Sequence, residues 1–183
     1  MKTYRRRFQL PWITEKRFIG SWDFRLKTIL ECDLDFKGKR ILDAGCNIGL
    51  IDYEISKFEP SFIHGIDKYK AGIYAARNIF AGVEVPSRYD ILDMANDKRL
   101  RKALEPSYDI VLFMSVWQHI RRELGSQIAD RMTATLAERC SGIFVGQTVK
   151  EQAGEFSALM KSLGFAVVYD RDPLGRLFTY ARI

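Results

Sequence analysis

Residues 41–50 read ILDAGCNIGL: three apolar or small positions around Asp43, then Gly45 and Gly49, then the start of a helical pattern. A buried strand that ends in an acid and passes through a glycine loop into a helix is the first unit of an open α/β sheet. Ligands of such sheets settle outside the carboxyl ends of the strands, where neighbouring connections leave on opposite faces. Glycine lets this loop approach a ligand closely and take backbone angles that other residues avoid. A dinucleotide loop would need G-x-G-x-x-G to set a pyrophosphate on bare helix N–H groups. Here Asn47 stands at the middle glycine and the third glycine is absent. Asp43 would repel a pyrophosphate and attract an ammonium group, so the loop suits a cationic, amino-acid-like ligand better than a dinucleotide.

Outward from this loop, short apolar runs alternate with stretches of helical spacing. The expected strands are 40–44, 62–67, 84–89, 108–114 and 142–147, with helices over 49–58, 70–81, 96–105, 121–139 and 150–163. Strands this uniformly apolar are buried on both faces, which implies a doubly wound, mostly parallel sheet with helices on both sides. Two more strands, 164–170 and 176–183, are joined by too few residues for a parallel crossover. They are expected to form a C-terminal antiparallel hairpin that completes seven strands. Before the first strand, Trp22, Leu26 and Ile29 or Leu30 recur at helical spacing, so 21–32 reads as a helix that packs on or lids the sheet. The expected organisation is a basic N-terminal extension, 1–38, and one α/β domain, 39–183.

At 183 residues, 47% hydrophobic and 28% charged, the chain has the composition of one folded domain with a sizeable core. Its net charge of +6 is uneven. The first forty residues hold eleven of the 29 basic and five of the 23 acidic side chains, so the remainder is neutral. The leader therefore admits an anionic partner such as a nucleic acid, though a solvated basic face would look the same. No apolar run is long enough to span a bilayer, and the start, MKTYRRRFQLPW, lacks the apolar stretch of a signal peptide. A cytoplasmic location is expected. Three scattered cysteines and two histidines write neither a disulfide framework nor a zinc site, and no metal is expected.

In DAGCNIG the chain resembles the class I S-adenosylmethionine-dependent methyltransferases, whose first motif is an acid followed by G-x-G-x-G, with Asn47 replacing the middle glycine. The resemblance extends through three further segments. HGIDKY places Asp67, followed by Lys68, at the end of the second strand. SRYDILD places Asp90 and Ile91 after the third, and YDIVLFMSVWQHI places Met114 and Ser115 at the end of the fourth. It implies S-adenosyl-L-methionine as cofactor. By position, Asp43, Gly45, Cys46, Asn47 and Gly49 would wrap its methionine part, and Asp67 would accept the ribose hydroxyls. Asp90 would take the adenine amino group with the Ile91 N–H beside it, or Asp93 would do so after a small shift of register. Met114 and Ser115 would face the transferable methyl. Cys46 reads as a small apolar filler rather than a nucleophile.

Methyl transfer from a sulfonium is an in-line displacement whose gain comes mostly from positioning. A base is needed only if the acceptor must lose a proton. His119 is the candidate general base or acceptor contact, because histidine changes charge near neutral pH; it could equally cap a helix or pack beside Trp117. Trp22, Arg25 and Trp117 are candidates for the substrate side. The segments that grip exocyclic amines or attack pyrimidine rings are absent, and Ser115 stands where a ribose 2′-O-methylating aspartate would be. Weaker similarities to enzymes of the tRNA wobble uridine and of RNA 5′-phosphates transfer no substrate. The expected activity is methyl transfer to an oxygen or nitrogen of a polar acceptor, with an anionic one included: a small molecule, a glycan or RNA. Aromatic residues interleave the basic leader as they do in single-strand grooves, and binding through phosphates would fall steeply with salt. The rivals are a cofactor- or RNA-binding domain without turnover and, less favoured by the loop, a nicotinamide-dependent oxidoreductase. Oligomeric state is not legible.

Overall fold

A computed structural model describes residues 26, 28–30, 32–169 and 177–183. The chain divides into a unit of residues 1–35 and a unit of residues 36–183, and the fold below is that of the second. Of the expected N-terminal helix, Leu26 and Thr28–Leu30 are described and are helical; Trp22 and Arg25 lie outside the described residues.

Seven strands form one sheet: β1 (Arg40–Ala44), β2 (Phe62–Asp67), β3 (Ser87–Ile91), β4 (Tyr108–Met114), β5 (Cys140–Gln147), β6 (Phe165–Tyr169) and β7 (Leu177–Arg182). Their order is β3-β2-β1-β4-β5-β7-β6, with β7 antiparallel to both its neighbours and the first five strands parallel. The doubly wound, seven-stranded architecture expected from the alternation is present. Its consequence for function is the position of β1, which has β2 on one side and β4 on the other, so the chain reverses its direction of winding there and opens a crevice at the carboxyl ends.

The helices are α1 (Leu50–Ser56), α2 (Lys70–Phe80), α3 (Asp97–Ala103), α4 (Trp117–Leu124), α5 (Ser126–Glu138) and α6 (Ala153–Ser162), with a 3-10 turn at Lys150–Gln152. In α2 the buried residues Gly72, Ile73, Ala75, Ala76 and Phe80 recur at three- and four-residue spacing and lay one face on the sheet. The Asn96 side chain caps α3 by accepting the Arg99 N–H at 3.1 Å.

Two boundaries differ from expectation for identifiable reasons. The helix expected over 121–139 is two helices, because Gly125 takes a φ of 94° and ends α4 before α5 begins. The third strand, expected at 84–89, begins after Pro86, which has no N–H to give a ladder, and runs to Ile91. Asp90 and Ile91 are therefore its last two residues, not the loop beyond it. On one face of β4 and β5, Phe113, Trp117, Phe144, Phe156, Phe165 and Tyr180 form a continuous aromatic core, with the Trp117 and Phe156 rings 5.3 Å apart.

Candidate active site

The loop after β1 combines three residues of positive φ: Gly45 at 97°, Asn47 at 53° and Gly49 at 70°. At Gly45 a Cβ would lie 2.3 Å from Val116 Cγ2, so no side chain fits. At Asn47 there is no such crowding to demand glycine, and asparagine is one of the few residues that enters the left-handed region at low cost. This explains why the middle position of the motif tolerates a side chain here. The strand end is pinned from β2 by Gly45 and Cys46, whose N–H groups both donate to the Ile66 carbonyl, at 2.8 and 3.2 Å.

Asp67, at the end of β2, organises the rim. Its Oδ2 accepts the Asn47 N–H at 2.9 Å and its Oδ1 accepts the Tyr69 N–H at 2.8 Å. Each carboxylate oxygen has a second lone-pair direction, so both can still accept a bond from a ligand. Across the crevice, Ser115 follows β4 with a φ of 59°; its N–H donates to the Gln147 carbonyl at 2.9 Å and its Oγ to Gln147 Oε1 at 2.8 Å. Met114 is buried at the end of β4. Lys68 is exposed beside Asp67, its ammonium 3.5 Å from Glu123 Oε2 on α4.

Beneath the loop lies a residue the sequence reading missed. Asp52, in the first turn of α1, is fully buried; its Oδ2 accepts the Tyr89 hydroxyl at 3.0 Å, and it hydrogen-bonds Asp43, itself buried at the end of β1. Burial beside a second acid favours the neutral form of a carboxyl group. Burial raises Asp52 from 3.8 to about 7, with the hydrogen bonds from Tyr89 and Asp43 opposing the rise. The signal was present in the sequence: Asp52 precedes Ile55 by three and follows Gly49 by three, which puts an acid on the buried face of its helix. Cys46, between these acids, has its thiol pushed well up, first by burial and then by Asp43, which leaves it a filler and a poor nucleophile.

Three candidates stand elsewhere than their motif positions suggested. Asp90 points to the opposite face of the sheet from Tyr89, where its Oδ2 is 3.1 Å from His64 Nε2 and 3.0 Å from Arg88 Nε. Asp93 instead is exposed just past the strand, accepting the Ala95 N–H at 3.1 Å, and Ile91 is exposed at the strand end. Trp117 does not face the crevice: it is 1% exposed, packs on Phe156 and donates its indole N–H to Asp130 at 3.0 Å, so it belongs to the core rather than the substrate side. His119 is exposed in the first turn of α4, its Nδ1 3.1 Å from Arg122 Nη2. Accepting from a guanidinium at Nδ1 puts the ring proton on Nε2, so in this arrangement neither nitrogen is free to act as a base.

No family model matches the chain. The ubiquinone biosynthesis O-methyltransferase of Neisseria meningitidis serogroup C is 30% identical over 91 residues, 47% of this chain and only 35% of that protein. Among solved structures, magnesium protoporphyrin IX methyltransferase from Synechocystis, with bound S-adenosylmethionine, superposes with a TM-score of 0.68 at 17% identity, over 88% of this chain and 81% of that one. The fold is the class I methyltransferase fold. The bifunctional kinase-methyltransferase WbdD shares it as well, with a TM-score of 0.65 at 18% identity over 89% of this chain and 40% of that one. In this fold the loop 45–49, Asp67, the end of β3 and Ser115 all stand at the carboxyl ends of the neighbouring strands β1, β2, β3 and β4. Among the described residues no group of three histidine, cysteine or acidic side chains is placed to hold a metal ion, and no described helix is long and apolar enough to cross a membrane.

Proposed function

We propose that the chain is an S-adenosylmethionine-dependent methyltransferase that acts on an oxygen or nitrogen of a polar acceptor. The observation that carries this reading is the Asp67 carboxylate, tied by one backbone bond to the glycine loop and by another to the next helix, with acceptor capacity left on both oxygens. A pair of vicinal hydroxyls matches that capacity. The bare Gly45 backbone and the acid Asp43 at the end of β1 fit the backbone and ammonium of an amino-acid moiety. For the adenine amino group, Asp93 is the better-disposed carboxylate, since Asp90 is engaged by Arg88 and His64.

When bound, the cofactor supplies a methyl on a sulfonium, and its transfer needs collinear alignment more than it needs a protein base. Ser115, held by two bonds to Gln147, and Met114 fix the β4 side of the crevice, while Gly45 and Asn47 fix the β1 side. Acid–base chemistry at His119 would require the imidazole to leave Arg122. Titration calorimetry tests the proposal: S-adenosylhomocysteine should bind the wild type in the micromolar range and lose about 100-fold in affinity in Asp67→Ala, about 2.7 kcal/mol. Absence of binding by the wild type would refute it.

A further inference from the structure

Where β4 and β5 end side by side, the two departing segments are clamped together. Trp117 at the start of α4 meets Phe156 of α6 edge to face, ring centroids 5.3 Å apart, and the Arg121 guanidinium pairs with Glu155. Gln118 lies one turn before Arg121 on α4, and Gln152 ends the 3-10 turn just before α6, three residues ahead of Glu155. Both side-chain Oε1 atoms are buried and have no hydrogen-bond partner. Between them in the chain, Thr148 follows the last residue of β5. It is 2% exposed, and its hydroxyl oxygen is also without a partner. Alternation along β5 puts Thr148 on the same side as Gly146, whose hydrogen leaves room for the Phe156 ring. Three of the five buried unpaired side-chain polar atoms among the described residues thus belong to segments that leave adjacent strand ends. Buried polar atoms are rarely left unpaired, because the desolvation goes uncompensated.

The chemistry of these atoms is specific. Two are amide oxygens, which only accept, and the third is a hydroxyl. Of the charges one turn beyond the two glutamines, Arg121 pairs with Glu155. Unpaired acceptor oxygens complement hydroxyl donors and offer no hydrogen bond to a carboxylate, which favours a neutral, hydroxyl-bearing molecule over an anion. We propose that Gln118, Thr148 and Gln152 form the acceptor subsite and that it takes a neutral, hydroxyl-bearing acceptor. This rests on the methyltransferase reading above, and it narrows the acceptor away from the anionic class to which the basic leader pointed.

The test is calorimetry of the full chain, loaded with S-adenosylhomocysteine, against 3,4-dihydroxybenzaldehyde and its anionic counterpart 3,4-dihydroxybenzoate. The neutral probe should bind at least tenfold tighter. Thr148→Val and Gln118→Met should each weaken it at least tenfold while S-adenosylhomocysteine affinity stays within twofold. Both variants should melt at or above the wild-type temperature, because each removes an unpaired buried atom. Preference for the benzoate, no binding of either probe, or undiminished binding by both variants would overturn the proposal. If S-adenosylhomocysteine itself does not bind, the methyltransferase reading fails instead, and the preference for neutral over anionic probe is then read on the unloaded chain.

Discussion

Strands β2 and β3 carry a polar cluster on each face, and the two are built oppositely. On one face Tyr89 reaches Asp52 and, through it, Asp43, beneath the glycine loop. On the other, His64 is enclosed by Tyr108, Asp90 and Arg88, with Glu105 and Arg40 behind them. The second cluster closes on itself: the Glu105 N–H donates to the Tyr108 hydroxyl, which can donate to His64 Nδ1, leaving His64 Nε2–H for Asp90, whose charge Arg88 balances. The first does not close, since the buried Asp52 Oδ1 has no hydrogen-bond partner. A saturated network has no capacity left for a ligand and acts on stability. An incomplete one under a crevice is where a ligand's charge has an effect.

The largest expected effects follow from the two titrations, which have opposite signs. Burial, with Arg88 second, lowers His64 from 6.5 to about 4. The folded state therefore keeps it neutral; its contribution is fully present above pH 6.5 and is lost as pH falls toward 4. Asp52 is raised from 3.8 to about 7, so its contribution is greatest below pH 4 and is lost as pH rises toward 7. Each is on the order of 3 kcal/mol, and over pH 4–6.5 they oppose one another. Urea unfolding should separate them. Asp52→Asn, which keeps the hydrogen bonds without the charge, should gain stability over the wild type increasingly from pH 4 to pH 7. His64→Gln should gain it as pH falls from 6.5 to 4. A difference curve that is flat in pH for either variant would break the comparison.

Next in size is the loss of cofactor affinity in Asp67→Ala, about 100-fold or 2.7 kcal/mol. This variant sharpens the contrast if its melting temperature moves by only a few degrees while His64→Gln leaves cofactor affinity unchanged. Smaller again is a test on a single segment. Asp93→Ala should weaken S-adenosylhomocysteine about tenfold, roughly 1.4 kcal/mol, whereas Asp90→Ala should chiefly lower stability, because it leaves His64 without its carboxylate and Arg88 with Glu105 alone. Equal effects on affinity would return Asp90 to the site.

These contrasts also mark what was legible in the sequence. The first, second and fourth strands fall at their expected residues because continuous β-branched and aromatic runs leave no competing register. The loop could be read because the positive φ values at Gly45, Asn47 and Gly49 need residues that are rare elsewhere. The choice between Asp90 and Asp93 could not be read because one residue of strand register reverses the face to which a side chain points, and the strand begins only after Pro86. Trp117 was misjudged because an aromatic beside a motif looks alike whether it lines a site or fills a core. Thr148, Gln118 and Gln152 left no signal, since isolated neutral polar residues carry no periodicity and only their burial singles them out.

The smallest effect is expected at Lys68, which belongs to the site by sequence and to the surface by geometry. Its ammonium and Glu123 Oε2 are 3.5 Å apart, with the two side chains 62% and 48% exposed, so the pair joins the β2 end to α4 across water-accessible space. An exposed pair of this kind contributes about 0.2–1 kcal/mol, and salt screens it. Lys68→Met should therefore change S-adenosylhomocysteine affinity by less than about threefold at 150 mM salt, within that range of energies. Any change should shrink further at 1 M salt. A larger, salt-independent loss would mean that the ammonium is desolvated in the bound state, and would move Lys68 from the rim of the crevice into the group with Asp67.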